Sequence, residues 1–336
     1  MAQGKNVDEI QENLCISVIY VANGINRVRV NHGQDNHAAK RTIHKNRTHT
    51  SSNACQRLTE WIIKMIRSLY WTLRAWVQNP RRSYLAWLKW QNKYFAQLAC
   101  KAMQWRGYSQ HPVHPKHLFD PKTGSQVEPF LKPGIHFLDV GCGIGASCLK
   151  ACEYGAARTV GIENNPDNIR ITQENALSRN VAVEVYPIDL EKTPYPFADD
   201  TFDVILFSDV MEHLENRVEC LKELKRIKKN EAPIVISIPN RDTSWKRRLR
   251  QAGIDSRDDT DHKIEYTKEQ LYQEITNAGL RLDSPLSPVV PSFPWHGLFA
   301  LSAAISPGLY RRLQQWKYDY IKRKPEEAMG WSFHVR

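Results

Sequence analysis

The chain has 336 residues, 41% of them apolar and 25% charged, enough for one large globular domain with something added to it. Its formal net charge is +11, and the excess is local: residues 54 to 110 hold ten Lys or Arg against Glu60 alone, a block that looks toward phosphates or other anions. Seven cysteines, odd in number and without a C-x-x-C pair, exclude a disulfide framework and zinc-ribbon spacing and read as free thiols.

The start, MAQGKNVDEIQ, lacks the basic-then-apolar order of a secretory signal, and no segment approaches ~20 uninterrupted apolar residues. The expected location is cytoplasmic, with any membrane association peripheral. Residues 1 to 53, rich in Asn, His, Thr and Arg, are expected to be a disordered tail. From 54 to 110 the pattern becomes helical. One helix is expected over 57–78 and a second over 82–105, broken at Asn79-Pro80. Six of the ten tryptophans lie between 61 and 105, beside Lys and Arg, which is the composition of a helix lying in a membrane interface. The plainer reading is an amphipathic pair packed on the domain behind it, its charges solvated.

Residues 111 to 336 read as the main domain. Strands are expected at 136–140, 159–163, 182–187, 202–208 and 233–238, with helices near 145–154, 167–179, 215–228 and 267–279. A helical insertion over 285–330 precedes a last strand, GWSFHV. This alternation is that of an α/β fold with a mostly parallel sheet, helices on both faces, and crossover connections.

The chemistry starts at HFLDVGCGIGAS, residues 136 to 147. Gly141, Gly143 and Ala146 satisfy G-x-G-x-x-A at a strand-to-helix turn, where backbone approaches a ligand closely. Glu163, at the end of the next strand, suits ribose hydroxyls. Those two features alone also fit a nicotinamide-dependent oxidoreductase. Asp139 separates the readings, because an acid ahead of the glycines suits a ligand with positive charge rather than a bare pyrophosphate. S-adenosylmethionine, with an α-ammonium and a sulfonium, is such a ligand. Asp189, after the third strand, is placed to accept from an adenine amino group while the Leu190 amide donates to the ring.

Taken together, LDVGCGIG, VGIENNPD, IDLEKTPYPFADDTFDVILFSDVMEHL and DDTDHKIEYTKEQLYQEITNAGL resemble the class I S-adenosylmethionine-dependent methyltransferases, close to the ubiquinone-pathway O-methyltransferase group. The resemblance covers about 130 to 285. It implies a Rossmann-like seven-stranded sheet and S-adenosyl-L-methionine as cofactor. It implies that Asp139 with Gly141, Cys142, Gly143 and Gly145 holds the methionine moiety. Glu163 and neighbouring Asn164 take the ribose, Asp189 and Leu190 the adenine, and the Ser208 carbonyl the ammonium. Cys142 is expected as a small filler between glycines, not a nucleophile. The family's usual Lys-Pro-Gly-Gly turn is replaced by Lys229-Asn230-Glu231-Ala232, away from the cofactor.

An oxygen nucleophile benefits from a base, and Glu212 and His213, just past the fourth strand, are the candidates for that role. No metal is expected: further acidic ligands beside the pair are not evident, and Pro112 and Pro115 keep His111, His114 and His117 off one helical face. The HPVHPKH segment instead reads as part of a lid over the cofactor, with His262 and Tyr266 as further substrate-side residues. The expected acceptor is a small molecule or lipid-like compound (a quinone or lipid-linked saccharide among them) with an anionic membrane surface as partner. Nucleic acid is not expected, since no RNA-binding signature accompanies the charge. A protein keeping the cofactor fold only as a membrane-docking scaffold is the non-catalytic alternative.

Overall fold

A computed structural model describes residues 60, 62–70, 79–120, 126–290 and 294–336. The expected tail and the ends of the 57–78 helix lie outside these residues; positions 62–70 are helical. The chain divides into two compact units, Met1–Arg74 and Ala75–Arg336. The second half of the basic, Trp-rich segment therefore lies with the 111–336 domain.

Seven strands form one sheet: β1 (His136–Val140), β2 (Arg158–Ile162), β3 (Glu184–Tyr186), β4 (Val204–Ser208), β5 (Ile234–Pro239), β6 (Ser287–Pro288) and β7 (Gly330–Val335), in the order β3-β2-β1-β4-β5-β7-β6. The first five are parallel, and β7 runs antiparallel between β5 and β6. Two expectations are corrected. The strand expected over 182–187 is only three residues long, and a two-residue strand, β6, falls inside the 285–330 segment expected to be helical.

The helices are α1 (Pro80–Trp105), α2 (Lys116–Phe119), α3 (Ala146–Glu153), α4 (Pro166–Ser178), α5 (Arg217–Ile227), α6 (Ser244–Gln251), α7 (Lys268–Asn277), α8 (His296–Ile305) and α9 (Pro307–Arg323). Their starts follow from local chemistry. Asn79, Asn165 and Ser306 accept backbone amides of the first turn, each followed by a proline that needs no donor partner. Thr267 and Gln270 cap each other reciprocally at α7. The Asn79-Pro80 pair, expected as a helix break, is thus the start signal of α1.

Alternate residues of the central strands feed opposite faces. Leu138, Val140, Ile205, Phe207, Ile234 and Ile236 pack under α5 and α7, while Phe137, Val204, Leu206 and Val235 pack with Ala151 of α3 and Val127, Leu131 and Ile135. Two buried faces explain why these strands are apolar throughout. Helix α1 lies against α8, and Gly297 permits the contact: a Cβ there would stand 2.5 Å from the Gln91 carbonyl oxygen and 2.7 Å from Asn92 Cα. Trp87 meets Trp295 edge-on at 5.7 Å, so part of the aromatic content of α1 serves interior packing.

Candidate functional site

Strand β1 is central, Asp139 pairing with Gly161 of β2 on one side and Leu206 of β4 on the other. Its carboxyl therefore sits near the carboxyl ends of the parallel strands, where open α/β sheets bind ligands. The next residues turn sharply: Gly141, Gly143 and Gly145 all have positive φ, +75°, +55° and +80°. At Gly143 the space a Cβ would take is open, with nothing within 4 Å, so that glycine leaves room at the loop surface. Glu163 holds the loop from β2, its carboxylate accepting the amides of Gly143 at 2.9 Å, Asn164 at 2.9 Å and Asn165 at 2.8 Å. Cys142 is buried, as a filler should be, its sulfur close against Gly161.

A cavity of about 510 Å³ opens over this turn. Asp139, Gly141, Cys142, Gly143, Ser208 and Asp209 line it from the sheet side, and Lys116, His117, Gln126, Val289, Val290 and Tyr318 from the flanking segments. The HPVHPKH segment thus borders the cavity, as a lid would. Within that segment the His114 ring stacks on His296 at 5.8 Å, while His117 alone of the three histidines reaches the cavity.

Asp139 is the electrostatic centre of the cavity. It is 5% exposed, and burial raises its pKa to about 7, a rise opposed by the Cys148 thiol and reinforced by the charge of Glu163. A buried carboxyl with no basic partner among the described residues is suited to a cationic ligand group. The residues present fit the amino-acid end of S-adenosylmethionine on that ground, and the open space at Gly143 fits a ligand laid against backbone.

Asp189 and Leu190 lie beyond β3, outside this cavity. Asp189 is half-buried and ion-paired with Lys192 at 3.0 Å, which lowers its pKa. Of the expected cofactor residues, Asp139, Gly141, Cys142, Gly143 and Ser208 line the cavity, while Glu163, Asn164, Asp189 and Leu190 do not.

The catalytic pair is placed differently from expectation. Glu212 and His213 form a 3₁₀ turn after β4, but neither lines the donor cavity. His213 opens instead on a second cavity of about 620 Å³, lined with His262, Arg257 and Lys263, which shares no residue with the first. Glu212 points inward, 1% exposed, its pKa raised to about 8 by burial and by the charge of Asp209. His262 reaches over it, Nε2 at 3.9 Å from Glu212 Oε1 and Nδ1 at 3.3 Å from Glu265 Oε1. Burial alone would lower His262, but these carboxylates lift it above its ordinary value. His213 is lowered by burial and by the neighbouring His262, whose ring centre lies 4.8 Å away. The Glu212, His213 and His262 ligand atoms all lie within 4.8 Å of one another, the one metal-compatible grouping among the described residues, in which a histidine rather than a further acid stands beside the pair. His262 is far in sequence and is brought there by the Lys263 and Ile264 amides donating to the Glu212 carbonyl.

Sequence reasoning missed two features. Asp209 lines the donor cavity with φ +57°, a left-handed position uncommon for a non-glycine residue. It directly follows Ser208, so its place at a strand tip was available as a signal. The second is Lys246 of α6, fully buried and paired with Asp258 at 2.6 Å and Glu265 at 3.0 Å. In SWKRRLRQ it is one base among four, and nothing local distinguishes it.

Comparison with known proteins agrees with the geometry. A family profile described as a methyltransferase domain matches residues 131–279. Residues 131–279 of this chain thus carry a methyltransferase domain, of the S-adenosylmethionine-dependent kind that the sequence motifs resemble. Ribosomal protein L11 methyltransferase of Thermosipho africanus is 32% identical over 111 residues, 33% of this chain and 40% of that protein. Norajmaline N-methyltransferase of Rauvolfia serpentina is 28% identical over 109 residues, 32% of this chain and 37% of that one. Phosphoethanolamine N-methyltransferase of Triticum aestivum is 34% identical over 107 residues, 32% and 21% of the two chains. The chain thus aligns with at most 40% of the length of these relatives. The class I methyltransferase cofactor is S-adenosylmethionine, and the β7-between-β5-and-β6 topology is the Rossmann-like arrangement expected of the domain.

Proposed function

We propose that this protein transfers a methyl group from S-adenosylmethionine to an oxygen of a small-molecule or lipid-like acceptor, working at an anionic membrane surface. The observation that carries the reading is Asp139, a buried carboxyl without a basic partner among the described residues, set over a glycine turn in a cavity that continues to Ser208 and Asp209. When bound, the cofactor supplies an electrophilic methyl group on a sulfonium.

The chain's own residues do the rest. Asp139 neutralises the ammonium end, and the Ser208 carbonyl accepts from it. Glu163 keeps the Gly141–Gly145 turn in its binding shape through three backbone amides. Asn164, Asp189 and Leu190 receive the nucleoside along the open edge. Lys116, His117 and Tyr318 close the cavity from outside the 131–279 domain and narrow the space for water. A hydroxyl acceptor must lose its proton as the new C–O bond forms. Asp209, exposed and on the cavity wall, is the group to take it at a carboxylate oxygen. Glu212 and His213 then act from behind, Glu212 through its electrostatic contact with Asp209.

Supporting the lipid-like acceptor is the composition of α9, which lends Tyr318 to the cavity wall and is rich in aromatics and bases. No described helix is long and apolar enough to cross a membrane, and the contact proposed is docking from one side. The test begins with calorimetric titration of S-adenosylhomocysteine, with NAD in parallel, followed by transfer of labelled methyl to quinol, phenol and saccharide lipids. Binding of NAD in place of the homocysteine compound would overturn the reading. Turnover only on nitrogen acceptors would overturn the oxygen assignment while keeping the methyl transfer.

A further inference from the structure

Among the described residues between Ala75 and Arg336, ten large apolar side chains are well exposed, and six of them lie at or just past the end of α1 or on α8 and α9: Trp105, Tyr108, Leu298, Ile305, Leu309 and Trp316. They are neighbours in space. The Arg106 guanidinium, next to Trp105, donates to the Ala304 carbonyl beside Ile305. Ile305 precedes Ser306, whose hydroxyl accepts the Leu309 amide at the start of α9. Leu309 and Trp316 are seven apart, so they share one face of that helix, as do Leu298 and Ile305 on α8. Trp316 and Phe299 join the two helices with ring centres 6.1 Å apart. Ile305 is the extreme case, 75% exposed at the tip of the hairpin. Isolated exposed apolar residues are ordinary; a run of them across two helices is not.

The charge around this face has one sign. After the end of α1 and along α9 the exposed bases are Arg106, Arg311, Arg312, Lys322 and Arg323, against one acid, Asp319, which is itself paired with Lys322 at 3.3 Å. Arg312 stands on the Leu309–Trp316 side of α9, and Lys101 one turn before Trp105. Aromatic and aliphatic tips ringed by bases match a bilayer interface with anionic headgroups, in which apolar groups enter the acyl boundary and cations stay among the phosphates. A protein partner of opposite charge would need no apolar tip at Ile305. The opposite side of α9 carries Tyr318, which lines the donor cavity, so a bilayer under Leu309 and Trp316 lies one helix thickness from the proposed reaction site.

We infer that the α8–α9 hairpin, with the end of α1, is the surface by which this protein seats on an anionic bilayer, Ile305 and Leu309 entering first. The inference rests on the membrane reading above and assigns it to a face. Full-length protein is mixed with vesicles of phosphatidylcholine alone or with about one third phosphatidylglycerol, and the sedimenting fraction is measured. The wild type is expected to sediment with the anionic vesicles and to be released several-fold as salt rises from ~0.1 to ~0.5 M. Ile305→Asn and Leu309→Asn are each expected to lower the partition constant about tenfold. Arg312→Gln, at an exposed position with no bearing on the core, is expected to lower it about fivefold at low salt. S-adenosylhomocysteine titration of each variant reports separately on fold and donor site. Wild-type sedimentation by the Asn variants with donor binding intact, or equal binding to neutral vesicles, overturns the face while leaving the methyl-transfer reading standing. Dimeric wild type that becomes monomeric in the Asn variants, read by light scattering, overturns it too, because the face would then join two copies of this chain. Should the Asn variants fail to fold, Arg312→Gln and the salt series decide.

Discussion

Asp139 Oδ2 lies 3.8 Å from the Cys148 sulfur, and that weak thiol donor is the side-chain partner the fold gives to a 5%-exposed carboxyl. A thiol stabilises a carboxylate poorly, so burial holds the group near neutrality and a cationic ligand group would ionise it.

The pH dependence follows with a definite sign. The folded pKa, about 7, stands above the ordinary 3.8, so the folded chain holds this proton over a range where the unfolded chain has released it. Stability from this group is therefore lost as pH rises from about 4 to 7 and stays lost above. Asp139→Asn removes that cost. We expect it to raise unfolding free energy at pH 8 by on the order of 2 kcal/mol and to leave pH 4 nearly unchanged, measured by urea unfolding without ligand.

The same variant is expected to weaken S-adenosylhomocysteine binding at least tenfold. In the wild type, affinity should rise between pH 6 and 8 with release of up to one proton, read by calorimetry in buffers of different ionisation enthalpy. Flat affinity across that range would remove Asp139 from the ammonium site.

Gly143 and Glu163 test the cradle by two routes. Gly143→Ala meets no neighbour within 4 Å but must adopt φ +55°, a strain of about 1 kcal/mol, so its melting temperature should fall only slightly. Donor affinity should fall much further, because the methyl fills the ligand's space. Glu163→Ala leaves three amides without their acceptor and is expected to cost about 1–3 kcal/mol along with donor affinity.

Asp209→Asn keeps a residue that tolerates the left-handed backbone, so fold and donor affinity should persist. Turnover with a hydroxyl acceptor is expected to drop about 100-fold. His213→Ala, which opens the second cavity instead, is expected to change turnover by less than about threefold. A larger loss in His213→Ala than in Asp209→Asn would return the base role to the histidine.

Lys246→Met leaves the buried Glu265 without this cation and breaks the ion pair to the more exposed Asp258, and is expected to destabilise the domain by about 3 kcal/mol in urea unfolding. Replacing all three by apolar residues of similar volume should recover most of that loss, because the uncompensated carboxylates cause it.

Much of the fold was legible in local pattern. The five parallel strands and their crossover helices stand within a few residues of where alternation and capping chemistry put them, because both faces of the sheet are buried and every strand must be apolar. Sites that rest on backbone turns were legible for the same reason: glycines with positive φ and an acid at a strand tip leave a signature in consecutive residues. The short β6 left none, since two residues carry no period, and its place is set by pairing with β7.

What the sequence determined by itself is the donor side of this protein. Asp139, the Gly141–Gly145 turn and Glu163 are close in sequence or one strand apart, so spacing alone brings them together. What only the tertiary structure decided is everything that approaches from elsewhere: His262 over Glu212, Lys246 between two carboxylates, Lys116 and Tyr318 on the cavity wall, and Ile305 beside Trp105. Those pairings join residues tens to hundreds of positions apart. They depend on packing such as the Gly297 contact between α1 and α8, where the absence of a side chain permits an approach that no periodicity in the sequence records.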